Sequence, residues 1–166
     1  QNYSSGSQFK YVVIKHADIG LYIYDAGLHV SYTEFDTNKY GVEIRKTDGV
    51  VIDNSTFTGN TAGVWSEYSD YSSGDSVAAI SNTYISNNTF STNSYGLDLI
   101  MNQRDFKNLN IIKNVFTGNN VGIDFGGGGS GGASCISFSQ SVYCDGSGGG
   151  GGWPYGVAGA STLVAI

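Results

Sequence analysis

Charge is scarce in this chain of 166 residues: eight Lys and Arg stand against fourteen Asp and Glu, with two His and a net charge of −6. So few and so scattered cations exclude a nucleic-acid partner, because a phosphate backbone is held by clustered Lys and Arg. No apolar run approaches the roughly 20 residues that cross a bilayer, so the sequence holds no membrane span. Cysteine occurs only at Cys135 and Cys144, a spacing unlike that of a zinc site. The chain also lacks an initiator Met and a signal peptide; it opens on Gln1, as a processed or excised chain would. At 40% hydrophobic content it has enough apolar residues for one domain with a narrow, continuous core.

What the chain does contain is a repeat. A Phe is followed three residues later by Asn, and three after that by Gly and an aliphatic residue. The copies are Phe35-Asn38-Gly41-Val42, Phe57-Asn60-Gly63-Val64, Phe90-Asn93-Gly96-Leu97 and Phe116-Asn119-Gly122-Ile123. The internal spacing is constant while the copies lie 22, 33 and 26 residues apart, so the repeat is a structural rung with variable loops. Aliphatics about five residues before each Phe (Val30, Ile52, Ile85, Ile111), preceded two positions earlier by Leu28, Val50, Thr83 and Leu109, form stretches too short for helices. The segments after each Gly, such as Gly41-Val42-Glu43-Ile44, read as further short strands. Asn between them reads as a bend, since Asn tolerates the left-handed conformation a tight corner needs. Stacked about 4.8 Å apart, Asn38, Asn60, Asn93 and Asn119 are expected to form a ladder. Ile14 with Gly20-Leu21 is a degenerate first rung in which Ala17 replaces the Asn.

This pattern resembles the right-handed parallel β-helix of the pectin-lyase-like superfamily over roughly residues 9 to 125. The resemblance implies an all-β solenoid of about five coils, three short strands to a coil, with Asn ladders at a turn. Residues 1–8 form a polar lead-in and 126–166 a Gly-rich tail. Solenoids of this kind host lyases, hydrolases, tailspikes, adhesins and structural proteins, so the fold alone does not name an activity.

Alternation after each rung Gly sends the aliphatics inward and leaves an outward row of Tyr22, Glu43, Trp65, Asp98 and Asp124, beside a second row of Tyr24, Arg45, Glu67 and Ile100. Aromatic rings beside carboxylates are what a sugar-binding groove requires, so the first row supplies the glycan-binding candidates. Asp98, Asp124 and Arg45 are the candidates for catalysis; no cofactor is expected, the alternative being Ca2+ held by such carboxylates. The insertions 66–79 and 100–107 leave from the end of this strand and bring Tyr68, Tyr71, Arg104 and Asp105 to its walls. Polysaccharide-active members of the superfamily place carboxylates on such a face, yet no catalytic motif of theirs is present. Lyases in particular need a base that only Arg45 or Arg104 supplies. His16 and His29 fall at different places in their rungs and do not form a metal pair. The glycine tracts lack the Lys-Ser/Thr of a phosphate loop. Outward Thr rows of the kind an ice-binding face needs are broken by Asp36 and Ser91.

The tail carries a single charge, Asp145, and two glycine tracts around an alternating segment, 136–143. Cys135 and Cys144 are expected to close a small loop by a disulfide, which places the protein in an oxidising, extracellular or cell-surface setting. Sequons at Asn2, Asn54 and Asn87 point the same way, although Asn, Ser and Thr are abundant enough to produce them by chance. The uncharged end, Ser161 to Ile166, either caps the last coil or pairs with a neighbouring chain, with Trp153-Pro154-Tyr155 as its anchor. The lead-in has no helical cap, so coils stacking head to tail are expected to build a fibre, sheath or surface layer; the alternative for the raw ends is a fragment of a longer protein. The functional expectation is a structural or adhesive extracellular β-helix, and its alternative a polysaccharide-binding or polysaccharide-cleaving one.

Overall fold

In the computed structural model the described residues are 6–66, 80–99, 106–107, 109–124, 135–138, 141–144 and 163–164; at 106–107 and from 135 onward only the backbone is described. Five coils of three strands make up the solenoid. The first holds β1 (Gln8–Lys10), β2 (Val13–Lys15) and β3 (Ile19–Tyr24), and the second β4 (His29–Ser31), β5 (Glu34–Asp36) and β6 (Tyr40–Arg45). The third holds β7 (Val51–Asp53), β8 (Thr56–Thr58) and β9 (Ala62–Ser66). A short strand β10 (Ile80–Ser81) leads into the fourth, with β11 (Tyr84–Ser86), β12 (Thr89–Ser91) and β13 (Tyr95–Leu99). Likewise β14 (Phe106–Lys107) leads into the fifth, with β15 (Asn110–Ile112), β16 (Val115–Thr117) and β17 (Val121–Asp124). Corresponding coil strands pair in parallel, giving three sheets along the axis, while β10 and β14 pair in a separate two-stranded sheet.

The repeat residues set this register. Phe35, Phe57, Phe90 and Phe116 point into the core and stack with ring centroids 4.9, 4.7 and 4.9 Å apart. Ile14 pairs with Phe35, which makes it the first rung's counterpart. The rung glycines are required by space. A Cβ on Gly63 would lie 2.6 Å from the Gly96 carbonyl oxygen and 2.7 Å from Phe90 Cδ1, so any side chain would part the coils. Val30, Ile52, Ile85 and Ile111 close the core from the first sheet, and Val42, Val64 and Leu97 from the third.

The reason for Asn at the corner needs correcting. The left-handed residues are those just before it, Thr37 (φ 57°), Gly59 (65°), Thr92 (54°) and Gly118 (64°), and none of the four Asn has positive φ. Asn is there for its amide, which bonds the next coil. Asn38 N donates to Asn60 Oδ1 at 2.8 Å, Asn60 N to Asn93 Oδ1 at 2.9 Å and Asn93 N to Asn119 Oδ1 at 2.9 Å. The side-chain amides donate to the same oxygens and also to core carbonyls on the other side, as Asn60 Nδ2 does to Phe35 O at 3.0 Å. Buried polar groups are thus satisfied along a continuous column. At the start of the column Ala17 N donates to Asn38 Oδ1.

Beyond the fifth coil the tail meets the chain's own solenoid. β18 (Cys135–Phe138) pairs in parallel with β15, then returns as a hairpin through β19 (Ser141–Cys144). β20 (Leu163–Val164) pairs antiparallel with β16. Two of the three sheets are therefore continued past the last coil. Trp153, Pro154 and Tyr155 lie outside the described residues.

Candidate functional site

The third sheet, β3-β6-β9-β13-β17, carries the outward row. Tyr22 is in register with Glu43, Glu43 with Trp65, Trp65 with Asp98 and Asp98 with Asp124. Neighbours in the row are about 4.8 Å apart. The row exists, but it is not uniformly open to solvent. Glu43 is 1% exposed and Trp65 9%, whereas Tyr22 is 49% and Tyr24 54% exposed.

The side chains around Glu43 explain its burial. Arg45, two positions along the same strand, directs its Nε at Glu43 Oε1. Its guanidinium lies 5.7 Å from the Tyr22 ring and 5.6 Å from the Trp65 ring, the two rings flanking Glu43, so it sits across the row above the carboxylate. Tyr40 stacks on Trp65 at 4.2 Å and 7°. Two corrections follow for the glycan candidates. Glu43 is not an open contact, and Trp65 has a ring face already taken by Tyr40. The exposed rings are Tyr22 and Tyr24, which lie 6.1 Å apart. Glu43 Oε2 is buried with no hydrogen-bond partner.

At the other end of the row Asp98 and Asp124 stand side by side on adjacent coils. Asp98 is half-buried, and loss of water together with the nearby Asp124 charge pushes its carboxyl up to about 6. A carboxyl titrating there holds or releases a proton near neutral pH, which is what acid/base work demands. Glu67, Tyr68, Tyr71, Ile100, Arg104 and Asp105 lie outside the described residues.

The family model for a right handed beta helix region matches residues 2–139. The chain belongs to that family. No curated protein and no solved structure matches it.

In this β-helix the sequence reading missed a second ladder, at the corner before each Phe strand. Asn88 N donates to Asn114 Oδ1 at 3.0 Å, Ser55 N to Asn88 Oδ1 at 3.0 Å and Thr33 N to Ser55 Oγ at 3.2 Å. Its signal was present as a polar residue two positions before every repeat Phe. Asn54 and Asn87, the sequon residues, occupy the neighbouring corner on consecutive coils, both exposed and both with positive φ; Asn2 lies outside the described residues. His29 Nε2 lies 2.9 Å from Asp53 Oδ2 on the next coil, and His16 is a left-handed corner residue. Among the described residues no group of three or more His, Cys, Asp or Glu is placed to hold a metal. Nor is any helix long and apolar enough to cross a membrane. The β18–β19 register sets positions 135 and 144 opposite each other.

Proposed function

We propose that this β-helix is a glycan-binding protein that uses the face of its third sheet. The observation carrying the reading is the arrangement of exposed rings and carboxylates on one sheet face: Tyr22, with Tyr24 in the row beside it, at one end, and the half-buried Asp98 with Asp124 at the other. Sugar rings stack on the tyrosines, and hydroxyls bond the carboxylates. The Arg45–Glu43 pair braces the middle. Affinity electrophoresis against a panel of soluble polysaccharides tests it: at least one retards the protein, and Tyr22→Ala with Tyr24→Ala abolishes the retardation without unfolding. Equal retardation of the double variant would overturn the reading.

The setting that goes with this function is extracellular. Positions 135 and 144 face each other across a hairpin, which supports a disulfide between Cys135 and Cys144. Peptide mapping before and after reduction decides it; two free thiols in protein purified without reductant would remove the support. A second reading, assembly into a fibre or sheath through the coil ends, draws on the first two coils, where Tyr11, Val13, Ile19 and Tyr32 are all exposed. Electron microscopy of concentrated protein separates the two, since dispersed particles at every concentration rule out assembly. The pairing of β18 and β20 with the chain's own last coil weighs toward the glycan reading, because it occupies edges that a stacked neighbour would need.

A further inference from the structure

Among the described residues, six of the seven large hydrophobic side chains that stand exposed lie in the first two coils: Tyr11, Val13, Ile19, Tyr22, Tyr24 and Tyr32. The core is open at that end too. Phe9, Ile14 and Leu21 are only partly buried, whereas Val30, Phe35 and Val42, their counterparts one coil on, are fully so. Val12 and Ala17 take the places that Thr33 and Asn38 hold in the two ladders, so the end is apolar where the interior corners are polar.

Backbone direction defines what this end can pair with. Ser7 O, Tyr11 N, Val12 O and His16 N all bond the second coil. Backbone groups alternate in direction along a paired strand, so those of Gln8, Lys10, Val13 and Lys15 point the other way, out of the end. The two edges, β1 and β2, are of equal length and meet at the Tyr11 corner. A two-fold axis through that corner lays β1 antiparallel on the partner's β2, and β2 on the partner's β1. In the register that opposes Phe9 to the partner's Ile14, core meets core. Gln8 then faces the partner's Lys15 and Lys10 the partner's Val13, and each pair exchanges N–H···O bonds both ways, about eight in all. No like charges are opposed, and Lys15 is already held by Glu34 and Asp36. Tyr11, 77% exposed, stacks one ring face on Tyr32 at 5.3 Å, and its other face meets the partner's Tyr11 near the axis.

Charge and the state of the far end single out a second copy as the occupant. Residues 8–25 carry Lys10 and Lys15 against Asp18 and Asp25, a formal charge of zero in a chain of −6, so two first coils approach without repulsion. At the other end β18 and β20 already extend the first and second sheets, the same two whose edges are open here. Head-to-tail stacking is thereby blocked on both.

We propose that two copies of the chain close into a head-to-head dimer through β1, β2 and Tyr11. Sedimentation equilibrium of the full chain over a wide concentration range, with small-angle X-ray scattering of the same samples, tests it. A monomer–dimer equilibrium is expected, the dimer an end-to-end rod, with no larger species. Tyr11→Lys sets two cations against each other at the axis and is expected to weaken the dimer at least about tenfold. The fold accepts that change, since Lys113 holds the same left-handed corner in the fifth coil. Val13→Pro, which removes an N–H pointing out of the end, is expected to act in the same direction. Where the proline variant also lowers the thermal midpoint, the exposed Tyr11 change decides. A monomer at every concentration overturns the proposal, and so does a dimer that Tyr11→Lys leaves intact. Particles that lengthen steadily with concentration overturn it as well, because a two-fold contact closes on itself.

Discussion

Two rows of side chains run the length of this solenoid with the same step of about 4.8 Å, and they have opposite characters. The corner row is one residue repeated, Asn38, Asn60, Asn93 and Asn119, each amide bonded to the next. The face row changes on every coil, from Tyr22 through Glu43, Trp65 and Asp98 to Asp124, and includes an unpartnered carboxylate oxygen and a raised carboxyl. A buried polar residue can repeat from coil to coil because its amide donates one way and accepts the other, so uniformity serves the scaffold. Heterogeneity leaves polar groups unmatched along the face, one of them the buried Glu43 oxygen.

Breaking the uniform row should have the largest effect. Asn60→Ala removes the acceptor of Asn38 N and Asn38 Nδ2 and the donor to Phe35 O and Asn93 Oδ1, all in a buried corner where Asn60 itself is 2% exposed. Four lost bonds, with Asn38 N and the Phe35 carbonyl left in a buried corner, predict a destabilisation of about 4 kcal/mol. Urea unfolding measures it; a loss below about 1 kcal/mol would mean that water replaces the ladder.

A smaller effect is expected from the middle of the face row. Arg45→Met leaves Glu43 buried without its cation, which predicts a loss of about 2–3 kcal/mol, toward the low end for such pairs because Arg45 is 31% exposed. Adding Glu43→Leu should recover most of it, since an apolar pair of similar size avoids the buried charge. A double variant no more stable than Arg45→Met would show that the pair, rather than the buried charge, is what matters.

The two rows also differ in how much the sequence disclosed. The five-coil stack was legible because Phe, Asn and Gly recur at fixed spacing and each has one job: Phe35 to Phe116 stack, Asn38 to Asn119 ladder, and Gly63 leaves room for the Gly96 carbonyl. Register of the face row was legible too, from alternation. Burial within it was not. Alternation says that Glu43 points away from the core, but whether water reaches it depends on where Arg45 and the Tyr22 and Trp65 rings come to rest, and no local pattern encodes that. The stack of Tyr40 on Trp65 joins different coils at unequal positions in the repeat. The second ladder stayed hidden because its four members, Thr33, Ser55, Asn88 and Asn114, share a function across three residue types.

The mildest change is expected at Asp98, and it should be stabilising. Its carboxyl is raised to about 6 from an ordinary value of 3.8 by burial and by Asp124. The folded state therefore holds a proton that the unfolded chain has released between those values, so the charged form costs stability above about pH 6 and the cost vanishes below about pH 4. Asp98→Asn removes that cost. Discounted for the exposed half of the side chain, the gain is about 1 kcal/mol at pH 7. Thermal unfolding of the variant and the parent from pH 3 to 8 should give curves that coincide in acid and separate steadily through the interval between the two values. A constant offset at every pH would trace the gain to the amide's own hydrogen bonds. A variant less stable than the parent at pH 7 would mean that Asp98, like the corner asparagines, is held by partners that need its charge, and the contrast between the two rows would fail at the residue on which the site most depends.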